Sequence, residues 1–111
     1  MPYKLFHFNV KQPKATLLFI HGSFSSASIW FERFIPYFQE NDYECFAISL
    51  RGHDPEKLDF NLHFYGMDNY MRDVQNALIE IGKPVTLIGH SLGGMVVQKY
   101  IEKGSCQGWV V

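Results

Sequence analysis

Charge of one sign, cysteine and long apolar runs are all scarce in this chain. Ten Lys and Arg stand against eleven Asp and Glu, a formal net charge of −1. That balance gives no electrostatic case for binding nucleic acid or an anionic membrane surface. The two cysteines, Cys45 and Cys106, lie far apart and lack metal-ligand spacing. They read as neutral thiols in a reducing compartment rather than as a disulfide. The five histidines do not cluster with other ligands, so neither a metal nor a cofactor is expected. No apolar run reaches the length of a bilayer span. Met1 to Val10 interleaves Lys4, His7 and Asn9 with its apolar residues, so a signal-peptide core is not expected there. The expected location is the cytoplasm. Internal repeats and low-complexity segments are also absent.

What is present is apolar and aromatic: 47% hydrophobic residues and 16% aromatic over 111 residues, enough for one packed domain. Tyr3 to Val10 alternates loosely and reads as a strand near a sheet edge. Lys11-Gln12-Pro13-Lys14 is a polar turn. Ala15 to Ile20 is a continuous apolar run of strand length, the pattern of a strand covered on both faces. A small polar loop follows His21-Gly22, and Ser28 is read as the N-cap of a helix. Trp30, Phe34 and Phe38 at i, i+4, i+8, with Phe31 and Ile35 beside them, form its apolar face, which Pro36 is expected to shorten or kink. Tyr43 to Leu50 is another buried strand, ending at Arg51-Gly52-His53. Lys57 to Tyr65 has no clean period and reads as a surface excursion. Asp68 is taken to cap a helix to Ile81, with Tyr70, Val74, Ala77, Leu78 and Ile81 inward and Gly82 closing it. Val85 to Gly89 is a strand, and the next helix carries Met95, Val96, Tyr100 and Ile101 up to Gly104. Gly108 to Val111 begins one more strand. Alternation of this kind predicts an α/β fold, a mostly parallel sheet flanked by helices.

In open sheets of this type, ligands sit at the carboxyl ends of the strands. His21-Gly22-Ser23, Arg51-Gly52-His53 and Gly89-His90-Ser91 all fall at such ends, so three loops converge on one rim. Within Gly89-His90-Ser91-Leu92-Gly93-Gly94 the change from strand to helix is abrupt and Ser91 stands at its apex. Such a turn holds the serine in a strained backbone conformation and projects its hydroxyl above the sheet edge. The residues two before and two after, Gly89 and Gly93, must be small because strand and helix approach each other. The Leu92 N–H stands in the first helical turn, where donors are unpaired and the dipole favours negative charge. A bland alternative is a glycine-rich connection with an exposed serine. A phosphate-binding loop would need a lysine after Gly93-Gly94, and Met95 stands there instead.

Taken together, His21-Gly22, Trp30, Arg51-Gly52-His53 and Gly89-His90-Ser91-Leu92-Gly93-Gly94, in this order and spacing, resemble the α/β-hydrolase superfamily over nearly the whole chain. The resemblance implies the N-terminal half of that fold. It makes Ser91 the nucleophile, with an oxyanion hole from the Leu92 amide and that of Ser23, or of Phe24 as second choice. Each such donor is worth roughly 3–4 kcal/mol in the transition state. His21, Gly22, Gly89, His90 and Gly93 support the turn and its neighbours. The implied substrate is a small acyl compound, in the manner of an esterase, thioesterase or lipase. The turn after Arg51-Gly52-His53 continues with Asp54-Pro55-Glu56-Lys57, a local departure from the pattern.

In this family the partners of the serine follow it, in the order Ser, Asp or Glu, His. Only Cys106 to Val111 lies beyond the helix that follows Ser91, so the chain is expected to hold an incomplete hydrolase domain. Loss of the base costs on the order of 10⁶ in kcat in a serine protease. The chain alone is therefore expected to be weak or inert. His21 and His53 are read as structural, His90 as pointing away from Ser91, and His7 and His63 as remote. The short final strand leaves an apolar sheet edge, from which self-association or a complementing chain is expected. The alternative from another class is a non-catalytic binding module that uses the pocket or that edge.

Overall fold

The computed structural model describes residues 2–22, 25–53, 66–103 and 108–110. Its centre is a pair of parallel strands, β2 (Ala15–Ile20) and β3 (Tyr43–Ser49), buried along almost their whole length. Their near-continuous apolar sequences suit strands covered on both faces. β1 (Lys4–Phe8) lies antiparallel on the outer side of β3, with Lys4 opposite Ser49 and Phe8 opposite Cys45. β4 (Thr86–Gly89) pairs parallel with β2, and the three-residue β5 (Gly108–Val110) pairs parallel with β4. The sheet order is thus β1-β3-β2-β4-β5, a mostly parallel α/β sheet with β1 at one edge. Two-fold alternation sends the buried residues to opposite layers. Leu18, Ile20, Phe46, Ile48 and Leu87 face α2 (Met67–Ile81) and α3 (Leu92–Lys103), alongside Tyr70, Val74, Val96 and Val97. Leu17, Phe19, Cys45 and Ala47 face the other side, where Ala27, Trp30 and Ile35 cover them.

The segment before α1 (Phe34–Glu40) departs from the sequence reading. Ser28 does not cap a helix; it lies inside a 3-10 helix, Ala27–Trp30, and α1 begins only after three turn residues. Ser26 precedes the 3-10 helix, and its hydroxyl meets that of Ser28 at 2.9 Å instead of capping a backbone amide. Pro36 therefore falls in the first turn of α1, where its missing N–H costs nothing, and no kink results. The interruption also breaks the i, i+4 phase. Trp30 and Ile35 are buried, while Phe34 is half-exposed.

α2 starts one residue ahead of Asp68, after an extended Gly66, so Asp68 sits in the first turn and favours the dipole without capping it. Its C-cap is the expected one: Gly82 adopts φ 73° and its N–H returns to the Leu78 carbonyl. In α3 the sheet-facing stripe runs through Gly93, Val96 and Val97, which turns Met95 outward rather than into the core. Gly104, Cys106 and the excursion over 57–65 lie outside the described residues. Cys45 is a buried free thiol whose pKa burial pushes up to about 11, with Glu44 adding to the effect. No helix among the described residues is long and apolar enough to cross a membrane.

One charge is buried at the amino ends of the parallel strands, opposite the rim. Glu44 on β3 accepts hydrogen bonds from Thr16 Oγ1 of β2 at 3.1 Å, from Lys83 ahead of β4, and pairs with His7 of β1 at 2.6 Å. The His7 ring stacks on Phe46, centroids 4.2 Å apart. Burial works to raise the Glu44 pKa, but the bonds from Lys83, His7 and Thr16 outweigh it and hold it below the usual carboxylate value. The carboxylate thus ties the starts of β2 and β4 to β3 and to the end of the antiparallel β1. A depressed folded pKa means stability that is present above the unfolded carboxylate pKa and is lost as pH falls through the folded one. Glu44→Gln is expected to cost about 2 kcal/mol at pH 7 and to flatten the acid limb of the stability curve. Urea unfolding of both proteins between pH 7 and pH 3 measures it; curves that superimpose would show that the carboxylate contributes nothing, and parallel, offset curves that its titration does not carry the acid limb.

Candidate active site

The rim at the carboxyl ends of β2, β3 and β4 is built from backbone contact. Gly89 ends β4, Ser91 is the turn, and α3 begins at Leu92. A Cβ on Gly89 would overlap the Gly93 carbonyl, and one on Gly93 would overlap the Ile20 and His21 carbonyl oxygens. α3 therefore enters against the end of β2 with no room for a side chain between them. The His90 N–H donates to the Ile20 carbonyl at 3.1 Å, the Gly93 N–H to His90 at 2.9 Å and the Met95 N–H to Ser91 at 3.2 Å. The chain can reverse that fast only if the apex residue enters the left-handed region, and Ser91 has φ 57°. For a non-glycine residue this conformation costs on the order of 1–3 kcal/mol. Ser91 is exposed at the strand ends.

Gly22 brings the second loop to the same place. A Cβ there would stand 3.1 Å from the Ser91 Cβ and 3.5 Å from His90 Nδ1. Gly22 thus lies against the serine. Ser23 and Phe24, the expected oxyanion donors on that loop, lie outside the described residues. Leu92, the donor expected from the turn itself, is the first residue of α3 and partly buried against the core.

His21 is fully buried and holds the rim together. The Leu50 N–H donates to its Nε2 at 3.0 Å, which leaves the proton on Nδ1 to bond the Gly22 carbonyl at 2.7 Å. One imidazole thereby fastens the end of β2 to the end of β3 in a single neutral tautomer. Burial pushes its pKa down to about 4, the Gly22 bond opposing and neighbouring His53 assisting. His53 is buried, 4.9 Å from the His21 ring and 5.7 Å from Tyr70, with Nδ1 on the Arg51 carbonyl. Both histidines do the structural work read from the sequence. His90 is exposed and lies edge-on to Trp30, centroids 6.5 Å apart. The Trp30 indole N–H is buried with no hydrogen-bond partner among the described residues.

Sequence reading missed Asp73. It is fully buried on the inner face of α2 and clamps Arg51, accepting from the Arg51 backbone N–H at 2.9 Å and from its guanidinium at 2.6–3.2 Å. Asn69 adds an acceptor at 3.3 Å. The signal was a carboxylate interrupting the Tyr70–Val74–Ala77 stripe in a chain whose third rim loop opens with arginine. The clamp positions that loop; it does not touch the serine.

The rim yields two expected outcomes. Ser91→Gly should raise stability by about 1 kcal/mol by releasing the left-handed strain, whereas Ser91→Ala should not; equal midpoints for all three proteins in urea would deny the strain. His21 gains a proton in the unfolded chain below about 6.5 but in the folded chain only near 4, so stability should fall across that window as pH drops. The slope reaches up to about 1.4 kcal/mol per pH unit. His21→Phe, less stable at pH 7.5, should lose less between pH 7.5 and 5, and an unchanged slope would remove His21 as its cause.

The chain is similar to known proteins in sequence and fold. A family model described as the alpha/beta hydrolase family matches residues 17–110. "Probable lysophospholipase BODYGUARD 4" of Arabidopsis thaliana is 27% identical over 105 residues, covering 88% of this chain and 24% of that protein. "Protein phosphatase methylesterase 1" of Candida albicans is 26% identical over 103 residues, 88% of this chain and 28% of that protein. The chain spans about a quarter of the length of these two curated relatives. A carboxylesterase structure from Nitrososphaera gargenis superposes with a TM-score of 0.80 over 96% of this chain and 38% of its own; at 21% identity it shares the fold.

Proposed function

The chain belongs to the alpha/beta hydrolase family, and from that premise we propose that it forms the nucleophile-bearing part of a serine hydrolase acting on an ester or related acyl substrate. The observation that carries the reading is the Ser91 turn. A left-handed serine between two glycines, exposed at the strand ends beside Gly22, is the geometry a nucleophile elbow requires. Ser91 Oγ attacks the acyl carbon, and the carbonyl oxygen takes the developing charge. The Leu92 N–H at the start of α3 and the N–H of Ser23, with Phe24 as second choice, stabilise that oxyanion. The names of the two curated relatives, a lysophospholipase and a methylesterase, are in keeping with acyl-ester chemistry.

A base must take the serine proton. The described histidines are engaged elsewhere: His7 with Glu44, His21 with Gly22 and Leu50, His53 with Arg51, while the His90 ring packs on Trp30. This supports weak or no turnover by these 111 residues alone, with the acid and histidine supplied outside them. The sheet edge at β5 is where we place a complementing chain or a second copy, and a reducing, cytoplasmic setting suits the buried Cys45 thiol. The engaged histidines also favour a second reading, a non-catalytic module that binds through the same rim.

Fluorophosphonate treatment followed by peptide mass mapping separates the readings. The first expects an adduct on Ser91 that is absent from Ser91→Ala. Labelling that survives the substitution sinks Ser91 as the nucleophile. An unlabelled rim in both proteins fits the binding module and equally the inactive part of a hydrolase whose base lies outside these residues.

A further inference from the structure

We propose that a cavity between β1, β3 and the last turn of α2 binds a small primary ammonium on an apolar body, the charge held at Glu80 and the carbon chain laid against Leu5, Phe46 and Ile81. The cavity lies beside Glu44, at the amino ends of the parallel strands, and does not depend on the reading of Ser91. Its volume is about 350 Å³, at the small end of the range for ligand pockets. Leu5 and Ile81 are only partly buried where they meet the core, so each keeps apolar surface for an occupant. The His7 ring, stacked flat on Phe46 with centroids 4.2 Å apart, gives the cavity a planar wall.

The polar groups decide the class of ligand. Glu44 is answered by Lys83, His7 and Thr16 and has no charge to spare. Glu80 differs. Its carboxylate has one partner among the described residues, the neutral Tyr3 hydroxyl, which donates to Oε1 at 2.9 Å. Burial, with the bond and charge of Glu80 adding to it, pushes the Tyr3 pKa up to about 12, so this donor stays protonated and cancels none of the carboxylate's charge. The second Glu80 oxygen is left to accept. His7 is another open acceptor: its Nε2 donates to Glu44, so the neutral ring carries its lone pair on Nδ1, which meets no partner among the described residues. An ammonium supplies three N–H groups and the missing positive charge. An anion would face two carboxylates and find the Lys83 ammonium already paired with Glu44. A bare divalent cation lacks a ligand set, because among the described residues no three His, Cys, Asp or Glu side chains come together to hold one. Leu5, Phe46 and Ile81 add roughly 25 cal/mol for each Å² of hydrocarbon they cover.

Titration of the ¹⁵N-labelled chain with methyl-, ethyl-, propyl- and butylammonium chloride tests this, with amide shifts as the readout. Saturable shifts are expected at Leu5, Phe46 and Ile81, and none at Ser91 or Leu92. Affinity should climb ~4-fold per added methylene. Butanol and butyrate, which carry the same chain without the positive charge, should bind ~10-fold more weakly or worse. Glu80→Gln, which still accepts the Tyr3 bond, should cost butylammonium ~10-fold and leave butanol unchanged. Ile79→Ser, on the exposed side of α2 and outside the cavity, should change neither. Butanol or butyrate binding as tightly as butylammonium overturns the proposal, and that comparison on the parent chain needs no variant. Affinity indifferent to Glu80→Gln in a variant with the parent's far-UV spectrum also overturns it. So does tetramethylammonium, a cation without N–H groups, binding as tightly as butylammonium, which would reduce the effect to attraction by surface charge. Shifts centred away from the cavity would place the amine elsewhere and likewise contradict it.

Discussion

The structure depends on a backbone contact without side chains. Gly93 at the start of α3 packs on the carbonyls that end β2, and Gly89 at the end of β4 packs on Gly93. Everything at the rim follows from how little space that leaves. α3 can begin only immediately after β4, the reversal must be made in one residue, and that residue must take a left-handed conformation. Serine is tolerated there because the surrounding hydrogen bonds from His90, Gly93 and Met95 over-determine the turn. Strain at the apex is thus maintained by packing below it, and the hydroxyl is presented by a part of the fold that has no freedom to retract.

Two buried carboxylates divide the sheet between them. Asp73 holds the Arg51 loop at the carboxyl ends, near the serine, and Glu44 ties the amino ends of three strands, far from it. Each is charged, buried and fully engaged, so each contributes by restricting geometry more than by net free energy. His21 plays the corresponding uncharged part, joining β2 to β3 in one tautomer. The rim is accordingly rigid on the β2 and β3 side.

Much of this was legible in the residues. Ala15–Ile20 and Tyr43–Ser49 announce themselves by unbroken apolar runs, and the parallel sheet follows from alternation with helices. Gly89, Ser91 and Gly93 state their turn because only that geometry needs glycine on both sides of an exposed serine. What could not be read was where local phase breaks. The Trp30–Phe34–Phe38 spacing looks like one helix, and nothing in it reveals that a 3-10 helix and a three-residue turn intervene. Met95 looks like core until the contact at Gly93 fixes the rotation of α3. Asp73 looks like a surface charge until Arg51 is seen across from it, a pairing over 22 residues that no periodicity carries.

The central claim is that a glycine-mediated approach of α3 to β2 holds Ser91 left-handed against Gly22. Isotope-edited NMR of the labelled chain tests it directly. The account predicts nuclear Overhauser contacts between the Gly22 α-protons and the Ser91 β-protons, contacts from the Gly93 α-protons to Ile20 and His21, and a positive φ at Ser91 from its residual dipolar couplings. A negative φ at Ser91, or a Gly93 without contact to the end of β2, would contradict it.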